Sequence, residues 1–409
     1  MRIFYCAGPG DLIGTYRHYL KGEPDPGQVA VTYSSQFFDV CREFGLRAKV
    51  VTVHPRAADS FAAERVEIVN WPSPWMRRRK FGYYLGSLGY HLRLIAAILA
   101  FRAKVVVHFD FIHWFLLAPV AWLGVKVIPT IHCRLWTGDA PAGRVHGLVM
   151  RLNGWYFRRC VVGVMCVSDE IARQVREIAG EELPIVVFFP SYPPGTFDVA
   201  PEADPPGGTE RRRILFVGRV EASKGAFDLV DVAAMLRDRG CDDLVFDVCG
   251  DGGALAEMKA MARARGVEDR FVFRGYVDRD RLPSIFRSSF AVIVPTRSEF
   301  AEGFNKVVAE GVLAGKPVMT SPTCPAIESL GDAVLVVPAD DPRGYADAIQ
   351  RLRDDRGFYD AIVRAGDARR GPFHDPDAGW AHAFRTLLLR AVPALRGQNR
   401  GEAAGPFRP

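Results

Sequence analysis

The segment Ala291–Ser321, AVIVPTRSEFAEGFNKVVAEGVLAGKPVMTS, restricts the fold more than any other part of the chain. It opens on the apolar run Ala291–Pro295 and closes on Pro317–Ser321, two short runs that read as buried strands. Between them Phe304, Val307, Val308, Gly311 and Val312 recur at i, i+3, i+4, i+7 and i+8, the spacing of an amphipathic helix that Gly315 ends. Strand, helix and strand in this order predict a parallel βαβ unit. Glu302 falls in the strand-to-helix turn. Glu310 falls inside the helix beside its apolar stripe, where a carboxylate is costly unless something binds it. The turn Glu302-Gly303-Phe304-Asn305 also brings amide N–H groups to a helix start, a seat for phosphate.

The chain has 409 residues, enough for two domains with separate cores. Hydrophobic residues at 49% and charged ones at 24% place it among ordinary globular chains rather than disordered ones. A net charge of +6 is compatible with anionic nucleotides or a membrane surface, and no motif for nucleic acid accompanies it. Eight cysteines are scattered without C-x-x-C or His at metal-ligand spacing, which predicts buried free thiols in a reducing cytoplasm. The apolar start is too short for a signal peptide. The longest uncharged run, Phe111–Val125, falls short of the roughly 18 residues of a membrane span, so no transmembrane helix is expected.

The remaining candidate groups sit where apolar runs end. Arg2–Ala7 reads as a strand entering the turn-rich loop Gly8–Gly14, whose Gly10 allows close approach of a phosphate or sugar, although a plain connecting loop explains it equally. A helix is expected near Val29–Phe44 and a strand at Ala48–Val53. Trp71–Tyr84, WPSPWMRRRKFGYY, interleaves four cations with aromatics, which reads as a basic turn or as a surface for an anionic leaflet. Strands follow at Lys104–Phe109, Lys126–Ile131 and Cys160–Cys166, with a helix at Phe111–Leu123. His132 stands at a strand's C-terminal end, where open α/β sheets bind ligands. Ser168 reads as an N-cap. Six prolines and three glycines between 190 and 208 mark a linker. Beyond it, Arg212–Val217 runs into Gly218–Gly225, where Arg219 and Lys224 bracket a helix start suited to a diphosphate. Two further strands end at Gly250 and at Gly275-Tyr276.

Glu302-Gly-Phe-Asn-x4-Glu310, the following Ala314-Gly-Lys-Pro-Val318, and Gly218-Arg219-x4-Lys224-Gly225 together resemble the retaining nucleotide-sugar glycosyltransferases of the GT-B fold, family 4 type. The resemblance is strong from about 212 to 355, loose from about 104 to 190, and poor before 100. It implies two Rossmann-like doubly wound α/β domains facing across a cleft. The expected division is an acceptor domain at 1–190, a linker at 191–211 and a nucleotide-sugar domain at 212–374. A helix at 375–392 then packs back on the first domain, and the tail at 393–409 frays. In this family Arg219 and Lys224 hold the leaving pyrophosphate, Glu302 contacts the donor sugar, Glu310 holds the ribose, and His132 lies near the sugar. Gly303, Phe304, Asn305, Gly218, Gly250, Gly275, Tyr276 and Gly10 fall at donor-binding positions. The sequence departs from the pattern at Asn305, where Gly is usual, and at Cys324-Pro325, where a Gly pair is usual.

The implied reaction is hexosyl transfer to a hydroxyl with retention, without metal or other cofactor. The expected partners are a nucleotide sugar and a saccharide or lipid-linked acceptor, with no nucleic acid. Family habit places it in bacterial polysaccharide or lipid-linked saccharide synthesis, in the cytoplasm or peripheral on the inner face of the plasma membrane. A nucleotide-sugar epimerase of the same fold and a non-catalytic scaffold are the alternatives.

Overall fold

The computed structural model describes residues 1–53, 58–72, 81–109, 112–138, 143–200 and 211–397. The chain divides into two compact units: Met1–Asp25, Val31–Ser191 and Pro376–Pro409 form one, and Pro26–Ala30 with Tyr192–Asp375 form the other.

In the first unit the elements run β1 (Arg2–Pro9), α1 (Leu12–Lys21), α2 (Tyr33–Glu43), β2 (Arg47–Val53), β3 (Asp59–Ala63), β4 (Val66–Trp71), α3 (Phe81–Phe101), β5 (Val105–Phe109), α4 (Ala118–Trp122), β6 (Lys126–Ile131), α5 (Gly143–Cys160), β7 (Val164–Cys166), α6 (Asp169–Ala179) and β8 (Ile185–Val187). The strands form one sheet in the order β3-β4-β2-β1-β5-β6-β7-β8, parallel except for the β3–β4 pair. Strands buried on both faces must be apolar throughout, and Ile3–Cys6 and Val105–Val107 are almost fully buried. The C-terminal helix Trp380–Ala391 belongs to this sheet's packing. Trp380 is fully buried, its indole N–H donates to Thr130 Oγ1 at 3.0 Å, and Gln36 Oε1 accepts the Ala381 amide.

The second unit runs β9 (Arg212–Val217), α7 (Ala226–Asp238), β10 (Leu244–Cys249), α8 (Leu255–Ala264), β11 (Phe271–Gly275), α9 (Leu282–Ser288), β12 (Ala291–Val294), α10 (Lys306–Leu313), β13 (Val318–Thr320), α11 (Ala326–Leu330), β14 (Val334–Val336), α12 (Pro342–Asp354), α13 (Arg356–Asp367) and α14 (Gly371–His374). Its all-parallel sheet has the order β11-β10-β9-β12-β13-β14. The winding therefore reverses between β9 and β12. Loops leaving the carboxyl ends of the strands at such a reversal diverge and open a crevice. Helix α10 presses Val308, Ala309 and Val312 into the core. It lies so close to the sheet that a Cβ on Gly311 would come within 2.5 Å of Val318 Cγ2.

Several expected elements differ. The loop expected over Gly8–Gly14 is short, because the Asp11 side chain accepts the Gly14 amide at 2.9 Å and starts α1 at Leu12. The run expected as a strand at Cys160–Cys166 begins as the last residue of α5; Val161 makes an isolated bridge to Val127, and the strand itself is Val164–Cys166. The helix expected over Phe111–Leu123 is a 3₁₀ turn at Trp114–Leu117 followed by the short α4. Trp71, expected in a surface patch, is buried beneath Tyr90 and the Arg93 guanidinium, which sits 4.1 Å from its ring. Residues 73–80, the basic core of that patch, lie outside the described residues. The tail expected to fray from Pro393 forms a 3₁₀ turn through Gly397 that buries Leu395; residues 398–409 lie outside the described ones.

Trp380 fills a site among Tyr5, Tyr33 and Phe384. Trp380→Ala should therefore cost the chain about 3–5 kcal/mol of stability, read by urea unfolding.

Candidate active site in the second unit

The loops that leave β9 and β12 meet through one ion pair. The Lys224 ammonium donates to Glu302 Oε2 at 2.5 Å, with only 15% and 12% of the two side chains exposed. Asn305 Nδ2 donates to the same carboxylate oxygen at 3.0 Å. The Phe300 ring lies 3.7 Å from the ammonium, so the cation faces an aromatic surface as well as a carboxylate. The two loops are fastened further back: the Arg297 amide donates to Ser223 O at 3.0 Å, and the Arg297 guanidinium grips both oxygens of Asp228 on α7 at 2.7 and 3.1 Å.

Asn305 is the N-cap of α10, with φ of 63° and its Oδ1 accepting the Val307 amide at 3.2 Å. Asn enters this left-handed region more readily than most residues, so the chain keeps the turn without the usual glycine. The loop that departs from the family pattern at Cys324-Pro325 is held by Cys324 Sγ donating to Phe304 O at 3.1 Å. The Phe304 ring is buried and packs on Phe373.

Glu310 is 6% exposed and accepts a hydrogen bond from Tyr192 Oη at 3.2 Å. Burial pushes its carboxyl up to about 7, although the Lys306 charge and the Tyr192 hydroxyl pull the other way. Lys306 itself donates to Gln28 Oε1. Tyr192 and Gln28 have no signal in the sequence. Tyr192 lies in the Pro/Gly stretch read as linker, 118 residues from Glu310.

Arg219 does not join this cluster through its side chain. Its guanidinium donates to Glu221 at 2.8 Å and is 62% exposed. Gly218, Gly250 and Gly275 end three neighbouring strands and are stitched to one another: the Gly250 amide donates to Gly275 O at 2.7 Å, and the Gly218 amide to Cys249 O at 2.9 Å. A Cβ on Gly250 would sit 1.8 Å from Gly218 O, so backbone contact alone demands glycine there. Gly303 is buried, and Tyr276 is 67% exposed.

Gly10 and His132 belong to the first unit. Gly10 O accepts the Thr52 hydroxyl at 3.2 Å. His132 follows β6, with Nε2 2.9 Å from Thr130 Oγ1 and its ring stacked on Phe109 at 4.8 Å and against Tyr33 at 4.6 Å.

A carboxyl raised on folding stabilises the chain while it keeps its proton and ceases to do so once both states ionise. The advantage is complete below about 4.5 and lost as pH rises through about 7. Relative to Glu310→Gln, the native chain should lose roughly 3 kcal/mol across that window, read by urea unfolding at several pH values.

Residues 35–191 match the family described as Glycosyltransferase Family 4, and residues 203–369 match the one described as glycosyl transferases, group 1. The chain is 30% identical over 315 residues to the 2-deoxystreptamine glucosyltransferase of Streptomyces kanamyceticus, covering 68% of this chain and 76% of that one. Its fold is similar to that of sucrose-phosphate synthase from Thermosynechococcus elongatus, with a TM-score of 0.70 and 16% identity over 96% of this chain and 100% of the other. The Anabaena protein HepE in complex with UDP gives a TM-score of 0.65 at 14% identity, over 95% and 98% of the two chains. With both halves matched and the strand order in place, the chain belongs to the group 1 glycosyltransferases of the GT-B, family 4 type, and is a hexosyltransferase.

Proposed function

We propose that the enzyme moves a hexose from a nucleoside-diphosphate sugar to an acceptor hydroxyl with retention of configuration. The observation that carries this reading is the Lys224–Glu302–Asn305 cluster at the reversal between β9 and β12. Lys224 and Arg219 supply positive charge toward the departing diphosphate, and the start of α10 at Gly303–Asn305 adds amide donors. Glu302 orients the sugar; with two donors already on one of its oxygens, it is better suited to orient than to attack. Glu310 takes the ribose hydroxyls, which can replace the single Tyr192 donor and favour its ionised form. The main chain at Gly275–Tyr276 meets the base. His132 is a further sugar contact, held by Thr130 and Phe109, and Gly10 is a further donor-binding position.

UDP-hexoses are the first donors to test, because HepE was solved with UDP. The proposed acceptor is a saccharide hydroxyl, free or lipid-linked, in bacterial polysaccharide or lipid-linked saccharide assembly. The curated relative named for 2-deoxystreptamine makes an aminocyclitol the alternative acceptor. The reading includes metal independence, since two side-chain cations take the place of a divalent ion at the leaving group.

In steady-state assays Glu310→Ala should raise donor KM at least tenfold with little change in kcat. Arg219→Ala should lower kcat by about 100-fold. Near-native constants for both variants would reject these roles, and donor consumption that needs no acceptor would favour epimerisation. A chelator should leave the rate unchanged. In a thermal-shift screen, the cognate nucleotide at 100 times its Kd should add ~2.7 kcal/mol of apparent stability.

A further inference from the structure

Charge is distributed very unevenly along the chain. Between Trp71 and Ser168 there are thirteen Lys and Arg against two carboxylates, Asp110 and Asp139, while the whole chain is only +6. The same stretch holds most of the apolar side chains left in water. Of the sixteen large hydrophobic residues exposed among the described ones, eleven fall between Leu85 and Trp155.

These residues form stripes on adjoining elements of the first unit. Along α3, Leu85, Leu88, Leu92 and Leu99 stand on one side of the helix, while Tyr90, Leu94 and Ile98 are buried on the other. Along α5, Val145, Leu148, Leu152 and Trp155 are exposed at i, i+3, i+7 and i+10, while Met150, Tyr156 and Phe157 are buried. Specific contacts join the elements. Ser87 on α3 meets His113 Nδ1 at 3.2 Å, and Asn153 on α5 donates to Ile112 O at 2.9 Å and accepts the Phe115 amide. Trp122 at the end of α4, 69% exposed, packs edge-on against Trp155 at 6.1 Å. Exposed Arg144, Arg151 and Arg158 run beside the α5 stripe. Below Trp122, Lys126 and Arg159 line a cavity of about 180 Å³ with Val125 and Val161.

We propose that the α3–α4–α5 face is a docking surface for an anionic bilayer. Leucine and valine stripes provide the area that enters the acyl boundary, tryptophans sit at headgroup depth, and arginines meet lipid phosphates. The cavity between Lys126 and Arg159 suits a single headgroup phosphate. A protein partner of mixed charge gains little from a face on which α3 and α5 carry cations, α4 carries no charge and none of the three carries an acid, whereas an anionic leaflet is its complement. No described helix is long and apolar enough to cross a membrane, so the contact is peripheral. This deepens the lipid-linked acceptor reading, and its test needs neither donor nor acceptor, so either can fail alone.

The full chain is sedimented with vesicles of phosphatidylcholine alone and of phosphatidylcholine with an equal part of phosphatidylglycerol. Binding to the anionic vesicles only, weakened at about 0.5 M salt, is expected. Leu92→Glu with Leu148→Glu, and separately Arg144→Glu with Arg151→Glu, should each reduce that binding at least tenfold without moving Tm. The proposal is overturned if the native chain stays in the supernatant, if it binds both vesicles equally, or if both pairs of variants bind as it does. It is overturned too if light scattering without lipid shows a dimer that the leucine variant splits, which would assign the face to a second copy.

Discussion

An ammonium and a carboxylate withdrawn from water repay their desolvation only when geometry and further hydrogen bonds are good. Lys224 and Glu302 meet that condition: the pair is close, Asn305 adds a donor, and Phe300 supplies a polarisable face. Around it, Arg297 ties the β12 loop to Ser223 and Asp228, and Asn305 holds a left-handed backbone at the helix start. The pair thus fixes where the two loops stop, and the sheet fixes where they start. A ligand phosphate arriving at Lys224 competes with a carboxylate already in place. Loss of either partner leaves the other's buried charge without its counter-ion.

Much of this was legible in the chain itself. Parallel strands buried on both faces read as nearly continuous apolar runs, which is why β5, β9 and β12 were visible as such, and β10 despite its buried Asp247. The helix α10 showed its period because one side packs on the sheet. Gly218, Gly250 and Gly275 were visible as turn glycines, and contact with the Gly218 carbonyl accounts for Gly250 more directly than any ligand does. What stayed hidden was non-local or weakly patterned. Strand β3 is largely exposed and pairs only at one edge, so it carries no alternation to read. The Tyr192–Glu310 bond spans 118 residues, and nothing near Tyr192 announces it. Arg219 matched its motif, yet its guanidinium rests on Glu221.

The two units use their charges differently. In the second, two buried acids are matched by cations: Asp247 receives both Arg213 and Arg274, and Asp228 receives Arg297. In the first, the helices α3 to α5 are left with cations and exposed apolar side chains and no acids. Matched charges tie one element of the second unit to the next: Arg213 and Arg274 reach Asp247 from the two strands beside it, and Arg297 reaches α7.

The first unit is built from both ends of the chain, since the Trp380 helix packs under β6 and α2 while Tyr192–Asp375 folds separately. A nascent chain therefore has every strand of its first sheet by Val187 but cannot complete the unit around it until the Trp380 helix has left the ribosome. The later-begun unit is complete at Asp375, before that helix has been made, and can reach its native state first. The order of synthesis and the order of completion are reversed, and no single cut in the middle of the polypeptide yields two fragments that are each whole.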